Sequence, residues 1–390
     1  MSSVWHFPTR IVFGAGCVST LAEEVKQIGG RKVFVLADPG VLQVGLVTKV
    51  QEALDGGGLE HELFTQVSSN PLEAEVLSAI AAYKASKADV VVALGGGSPL
   101  DVGKLVCLGA SHPLPLAQYD DALGGDALIK EPIPPMIAIP TTAGTGSEVG
   151  RSAVLTIEAT QRKTVIFSPR LLPAVAFLDP ELTLSMPAHI TAATGFDALT
   201  HCIEAYASKG EHPMADAIAL HGIEMIARHL TVAVKDGTQI EARAAMLQAA
   251  MMGAVAFQKG LGACHSLAHP LSAEFGMHHG LANAVCLPAV LRFNNKVIPK
   301  KLERIAEIIR SQSEAVEFGT ADTDCAEVIA ALRNHLGLPA SLRQAGLEQK
   351  GASDADLSRL AQLAMEDACH TCNPRSCTRN DMLQMFQSSW

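Results

Sequence analysis

Nine of the fourteen histidines fall between His189 and His279, in a stretch otherwise made largely of small apolar residues. In GFDALTHCIEAY, Asp197 and His201 stand four apart. On a helix that spacing puts both side chains on one face, where they reach a single ion. ACHSLAHPL repeats the spacing with His265 and His269, and His278-His279-Gly280 follows, its glycine free to turn an imidazole back toward the same centre. One carboxylate and three imidazoles suffice as the protein ligands of one metal ion. Such donors suit Fe²⁺ or Zn²⁺ better than Ca²⁺ or Mg²⁺, which prefer all-oxygen shells. A single histidine is more often a satisfied core or surface residue; the combination of spacings carries the metal reading.

A second chemistry-bearing stretch lies nearer the amino terminus. VVVAL runs straight into GGGSPLDVGK, so Gly95, Gly96, Gly97 and Ser98 form a turn and Asp101 to Lys104 enter the helix behind it. Glycines let backbone N–H groups approach an anion, and a helix amino terminus adds partial positive charge, as a dinucleotide pyrophosphate requires. The loop matches neither GxGxxG nor a Walker loop, and tight packing alone also favours such glycines. Asp38, just past KVFVLA, is placed to accept the ribose hydroxyls and to repel a 2′-phosphate, favouring NAD over NADP. Asp38-Pro39-Gly40 is equally a good turn sequence. IPTTAGTGSEVG offers Thr141, Thr142, Thr145 and Ser147, short donors that suit a nicotinamide carboxamide and a phosphate.

Elements of two kinds must position these groups. Residues 1–187 alternate β-branched runs with helix-like segments, which predicts an α/β domain built on a parallel sheet. Strands are expected at residues 32–36, 90–94, 136–139 and 175–178, their carboxyl ends lining one crevice. Beyond residue 187 the spacing predicts helices at 195–207, 214–229, 241–257, 300–311, 324–336 and 354–369. The organisation read here is a dinucleotide-binding domain over 1–187 and a helical, metal-binding and catalytic domain over 188–390.

Bulk properties narrow the function classes. At 390 residues, 48% hydrophobic and 18% charged, the chain reads as a globular enzyme of two domains. A net charge of −10 without a Lys/Arg-rich run argues against nucleic acid. The apolar stretches fall short of the roughly 20 residues that cross a bilayer, and the amino terminus reads as no secretion signal. Nine scattered cysteines, an odd number, suggest reduced thiols in the cytoplasm. Cys369, Cys372 and Cys377 in ACHTCNPRSC look like half of a zinc knuckle, but no second CxxC exists, so they read as ordinary thiols.

From FGAG at Phe13 through NPR at Asn373, the chain resembles the iron-containing (group III) alcohol dehydrogenase family. The landmarks are GGGSPLDVGK, PTTAGTGSEV, FLDPELT, ATGFDALTHCIEAY, CHSLAHPL and HHGLANAVCLP. The resemblance implies a Rossmann-like domain followed by an all-helical one, a dehydroquinate synthase-like architecture, with cofactor and metal facing each other across a cleft. It implies metal ligation by Asp197, His201, His265 and His279, with His269 close to the metal and nicotinamide without being a ligand; His269 is the candidate for relaying the proton. It carries cofactor contacts to Asp38, Asn70, Gly97, Ser98, Thr141, Thr142, Thr145, Lys163 and Leu182. Hydride would pass between a small alcohol or aldehyde and NAD, in a homodimer or larger homo-oligomer. The chain departs from the family after TTAGTGSEV, where Gly150 replaces a common threonine and Arg151 follows, available to a substrate carboxylate or to a salt bridge. Rival readings are a glycerol dehydrogenase-like or dehydroquinate synthase-like enzyme, and an NAD-binding protein without turnover.

Overall fold

The computed structural model describes residues 7, 9–159, 162–313, 315–320 and 323–390. The chain divides into two compact units, one holding Phe7–Thr142 with Gly146–Ser185, the other Ala143–Thr145 with Met186–Trp390.

The amino-terminal unit contains the strands β1 (Arg10–Phe13), β2 (Lys32–Ala37), β3 (Glu60–Phe64), β4 (Val90–Gly95), β5 (Met136–Pro140), β6 (Ser152–Ile157), β7 (Arg162–Phe167) and β8 (Val175–Leu178). Six of them form one sheet in the order β1-β8-β5-β4-β2-β3, every pair parallel, while β6 and β7 make a separate antiparallel ladder. Parallel strands need helical crossovers that cover both faces, so central strands must be apolar throughout. KVFVLA, VVVALG and MIAIP meet that demand. Phe34, Leu36, Val91 and Ala93 pack into a cluster with Ile80 and Leu105, whereas Val33, Val35, Val92 and Leu94 pack into another with Val25 and Val50. Polar EHELF in β3 takes the sheet edge.

The carboxyl-terminal unit is helical, with helices Ala188–Ala207, Pro213–Lys235, Ile240–Ala256, Ala263–Phe275, His279–Asn294, Pro299–Gln312, Cys325–His335, Leu357–Glu366 and Arg379–Ser389. Phe196, Leu199, Ile226, Leu230, Leu247, Leu267, Leu287 and Phe386 belong to its single core cluster. Sixteen of the twenty residues of Ala188–Ala207 are buried. A helix wrapped on all sides shelters its polar residues from water, so Asp197, His201 and Glu204 must find partners inside.

Two sequence expectations are corrected here. Pro213–Lys235 and Ile240–Lys259 do reach the length and apolarity of a membrane span. Their Ile223, Ile226, Leu230 and Leu247 are nevertheless spent on the core. Gly280 is not a turn: His279 opens a helix and Gly280 lies within it. A Cβ at Gly280 would sit 2.1 Å from the Ala193 carbonyl oxygen and 3.1 Å from Asp197 Cβ, so the glycine permits close approach of two helices.

Candidate metal centre

Three helices deliver the imidazoles. Ala188–Ala207 carries Asp197 and His201, Ala263–Phe275 carries His265 and His269, and His279–Asn294 begins at His279. Asp197, His265 and His279 each present one ligand atom, and the three atoms lie within 4.8 Å of one another. His201 is not within that mutual distance; it joins by stacking on His265, ring centroids 4.7 Å apart. His269 stacks on His279 at 5.2 Å. His278, at the helix cap, is exposed and belongs to neither arrangement.

Charge and burial explain what this group can hold. Burial alone would raise the Asp197 pKa, but the imidazoles of His201, His279 and His265 and an Asn283 hydrogen bond at 2.7 Å bring it down to about 2. Burial lowers the pKa of His201 to about 4 and pushes that of His279 well below the usual imidazole value. At neutral pH an ionised carboxylate is therefore faced by the neutral rings of His201 and His279, each with a free lone pair. Among the described residues no lysine or arginine makes an ion pair with Asp197. Asn283 Nδ2 is aimed at Asp197 Oδ1, at His279 Nε2 (3.2 Å) and at His265 Nε2 (3.5 Å), so its N–H dipole points at the same three atoms a cation would take. The donor set fits a divalent transition metal.

Three positioning residues escaped the sequence reading. Glu204 Oε2 accepts from His265 Nδ1 at 2.6 Å and from the Gly262 N–H at 3.0 Å, while Oε1 accepts from the Cys264 N–H at 2.7 Å. It caps the helix that carries His265 and keeps the ring proton on Nδ1, freeing the Nε2 lone pair. Burial opposes a charged His265, yet the Glu204 hydrogen bond and charge outweigh it and raise the pKa. Asp367 does the same for His269: Oδ2 accepts from Nδ1 at 2.6 Å, and Oδ1 accepts from Ser266 Oγ and the Cys369 N–H. Burial works against its charge, but His269 and these hydrogen bonds hold it well below the usual carboxylate range. Asn283 is the third. Glu204 had a signal, since it follows Asp197 and His201 at seven and three residues on one helix face. Asp367 had none.

The cofactor candidates gather in the amino-terminal unit, except Thr145. Gly95 ends β4 with φ +150°, and a Cβ there would lie 2.6 Å from Pro99 Cγ, so glycine is required. Gly96 caps the helix Gly97–Ser111, and its own Cβ position lies 3.4 Å from Thr142 Oγ1. Ser98 Oγ donates to the Ser69 carbonyl beside half-buried Asn70, and the Thr141 N–H donates to the Gly95 carbonyl. Asp38 takes the turn role, accepting from the Val41 N–H at 2.9 Å, while its other oxygen lies 3.1 Å from the Gly95 Cβ position. Lys163 lies on β7, where burial lowers its pKa against the pull of Asp101, and Leu182 is buried. Ser147 is engaged structurally: it donates to Asp101 at 2.6 Å and accepts from Lys104 at 2.7 Å. Arg151 lies 5.2 Å over the Phe167 ring, with no carboxylate partner among the described residues.

Comparison with known proteins finds one family over both parts of the chain. The model of iron-containing alcohol dehydrogenase matches residues 8–180, and that of the carboxyl-terminal region of the Fe-containing alcohol dehydrogenase family matches residues 191–390. The chain is 39% identical to a 4-hydroxybutyrate dehydrogenase of Cupriavidus necator, over 98% of this chain and 99% of that protein. It is similar to the crystal structure of a 1,3-propanediol oxidoreductase, with TM-score 0.92, 36% identity and full coverage of both chains. It is also similar to a sulfoacetaldehyde reductase of Bifidobacterium kashiwanohense in complex with NAD⁺, with TM-score 0.85, 28% identity, and 100% and 99% of the two chains covered. The chain belongs to the iron-containing alcohol dehydrogenase family.

Proposed function

We propose that the protein interconverts a small alcohol and its aldehyde with NAD, using one divalent metal held by Asp197, His201, His265 and His279. The observation that carries this reading is the convergence of the Asp197, His265 and His279 ligand atoms within 4.8 Å. When bound, the metal supplies Lewis acidity at the substrate oxygen and NAD accepts the hydride. Asp197 contributes the ligand charge, and Glu204 holds the His265 proton at Nδ1. His269, whose Nδ1 is taken by Asp367, exchanges the alcohol proton at Nε2. The N–H groups of Gly96, Gly97 and Ser98, made accessible by Gly95, receive the pyrophosphate. Asp38 faces the ribose, and Asn70, Thr141, Thr142, Thr145, Lys163 and Leu182 complete the nucleotide contacts. Nucleotide work thus falls mainly to residues 1–187 and metal work to 188–390.

Chelation abolishes activity, and Fe²⁺ or Zn²⁺ restores it, with elemental analysis identifying the resident ion. His265→Ala lowers metal content and turnover together. Full activity of the metal-free protein defeats the proposal. A second reading narrows the substrate to an alcohol bearing a carboxylate. It is favoured by Arg151, which lacks a carboxylate partner among the described residues, and by the 39% identity to a 4-hydroxybutyrate dehydrogenase. Arg151→Ala then loses more kcat/KM on 4-hydroxybutyrate than on a simple alcohol; equal losses exclude it. The nine free cysteines fit a cytoplasmic enzyme. Light scattering tests for the homo-oligomer.

A further inference from the structure

Read along the sequence, the CHTC segment is half a zinc knuckle without its second pair of ligands. The fold brings other donors to it. His269, from the helix Ala263–Phe275, and Asp367, just before the short 3-10 turn Cys369–Cys372, meet Cys369 so that one ligand atom of each lies within 4.8 Å of the others. Asp367 Oδ2 and His269 Nδ1 are already 2.6 Å apart. The side chains of His269 and Asp367 are 33% and 20% exposed, so the group is reachable from solvent without lying open on the surface. It shares no residue with the Asp197, His265 and His279 group. We propose that His269, Asp367 and Cys369 form a second cation site, selective for a soft or borderline divalent ion such as Zn²⁺ or Cd²⁺, with water completing the shell.

One imidazole nitrogen, one carboxylate oxygen and one thiolate make a zinc-type donor set with an open position. Metal–nitrogen and metal–oxygen bonds of about 2.1 Å set the two donors roughly 3.4 Å apart in a tetrahedron, so the His269–Asp367 contact must open by less than about an ångström. Binding releases the Cys369 thiol proton to solvent. The Nδ1 proton of His269 either leaves from an imidazolium or moves to Nε2 of the neutral ring, and the ion takes its place against Asp367. Cys372 packs elsewhere: a Cβ at Gly260 would lie 2.7 Å from its Sγ. An ion here takes the ring nitrogen that orients His269, so Zn²⁺ beyond that needed for catalysis inhibits. That consequence rests on the relay role given to His269; the site does not.

The test is a Cd²⁺ titration of the metal-loaded enzyme, read by the thiolate-to-cadmium charge-transfer band in the ultraviolet. The Asp197 group holds no sulfur and is silent in this assay. The band is expected to saturate at one ion per chain, to vanish in Cys369→Ser and to persist in Cys372→Ser. His269→Gln, which leaves the CHTC segment intact, is expected to move saturation to higher Cd²⁺. Far-ultraviolet circular dichroism confirms that each variant is folded. Absence of a saturating band in the wild type, its survival in Cys369→Ser, its loss in Cys372→Ser, or an unchanged titration in His269→Gln overturns the proposal.

Discussion

Glu204→Gln tests the metal reading at a residue that touches no metal. The carboxylate accepts three hydrogen bonds, from His265 Nδ1 at 2.6 Å and from the Gly262 and Cys264 N–H groups at 3.0 and 2.7 Å. Glutamine keeps the shape but only one acceptor oxygen, so its NH₂ must face a donor. If it faces His265, the ring keeps an unmet N–H or moves its proton to Nε2 and loses the lone pair that faces Asp197 and His279. Loss of such an outer partner weakens metal affinity by about 10- to 100-fold, which is about 1.4 to 2.8 kcal/mol. If the amide instead faces Cys264, a buried N–H goes unsatisfied at a cost of about 1–3 kcal/mol of stability. Competition against a chromophoric chelator reads the first outcome and urea unfolding the second, with NAD affinity as the control expected to stay constant. A folded variant with wild-type metal affinity and wild-type stability refutes the argument.

Three further perturbations follow from the same geometry. Gly280→Ala forces a Cβ to within 2.1 Å of the Ala193 carbonyl oxygen; overpacking of this kind costs about 1–3 kcal/mol, read as a lowered Tm together with reduced metal content. Asp367→Asn removes the charge and leaves one acceptor oxygen where two served His269 Nδ1 on one side and Ser266 Oγ and the Cys369 N–H on the other, so kcat is expected to fall by about 10²-fold with an altered pH profile and unchanged NAD affinity; an unchanged profile argues against the relay. In the metal-free protein His201 stays neutral down to about pH 4, against 6.5 for an ordinary imidazole. The unfolded chain therefore takes up a proton that the folded chain refuses, and stability falls by up to about 3 kcal/mol as pH drops through that window. Urea midpoints that do not move between pH 7 and pH 4 contradict a buried neutral His201.

Central strands were legible because burial on both faces writes a continuous apolar run, as in residues 32–36, 90–94 and 136–139. The β1 strand was not, since none of its four residues is fully buried, whereas equally short β8 is buried throughout, and β3 hid behind the polar residues of an edge. His279–Asn294 escaped because HHG looks like a turn and Pro288 interrupts its pattern. In the site, the i,i+4 pairs pointed to two of the helices that converge, each giving one member, Asp197 or His265, of the group whose ligand atoms meet. Glu204 lies on the face of Asp197 and His201 but was passed over, since a helical carboxylate is ordinarily a solvated one. Only its burial inside a helix wrapped by others makes it exceptional. Asp367 stands 98 residues from His269 in the chain, and their contact is a product of tertiary packing that no local spacing encodes.

Glu204 and Asp367 are the same device used twice. His265 and His269 lie one turn apart on one helix, and each has its Nδ1 held at 2.6 Å by a carboxylate from a different part of the chain. Each anchor leaves an Nε2 whose use depends on its surroundings. The His265 side chain is 2% exposed, and its Nε2 faces the Asn283 amide beside Asp197 and His279. There a lone pair without water is best used on a cation. The His269 side chain is 33% exposed and has none of these neighbours among its hydrogen bonds. A ring reached by solvent can gain and lose protons during a catalytic cycle, which a metal-bound ring cannot. Two histidines of identical type and anchoring thus take different proposed roles through their burial and their neighbours. That predicts asymmetric losses: His265→Ala depletes the metal, whereas His269→Ala leaves it bound and slows turnover.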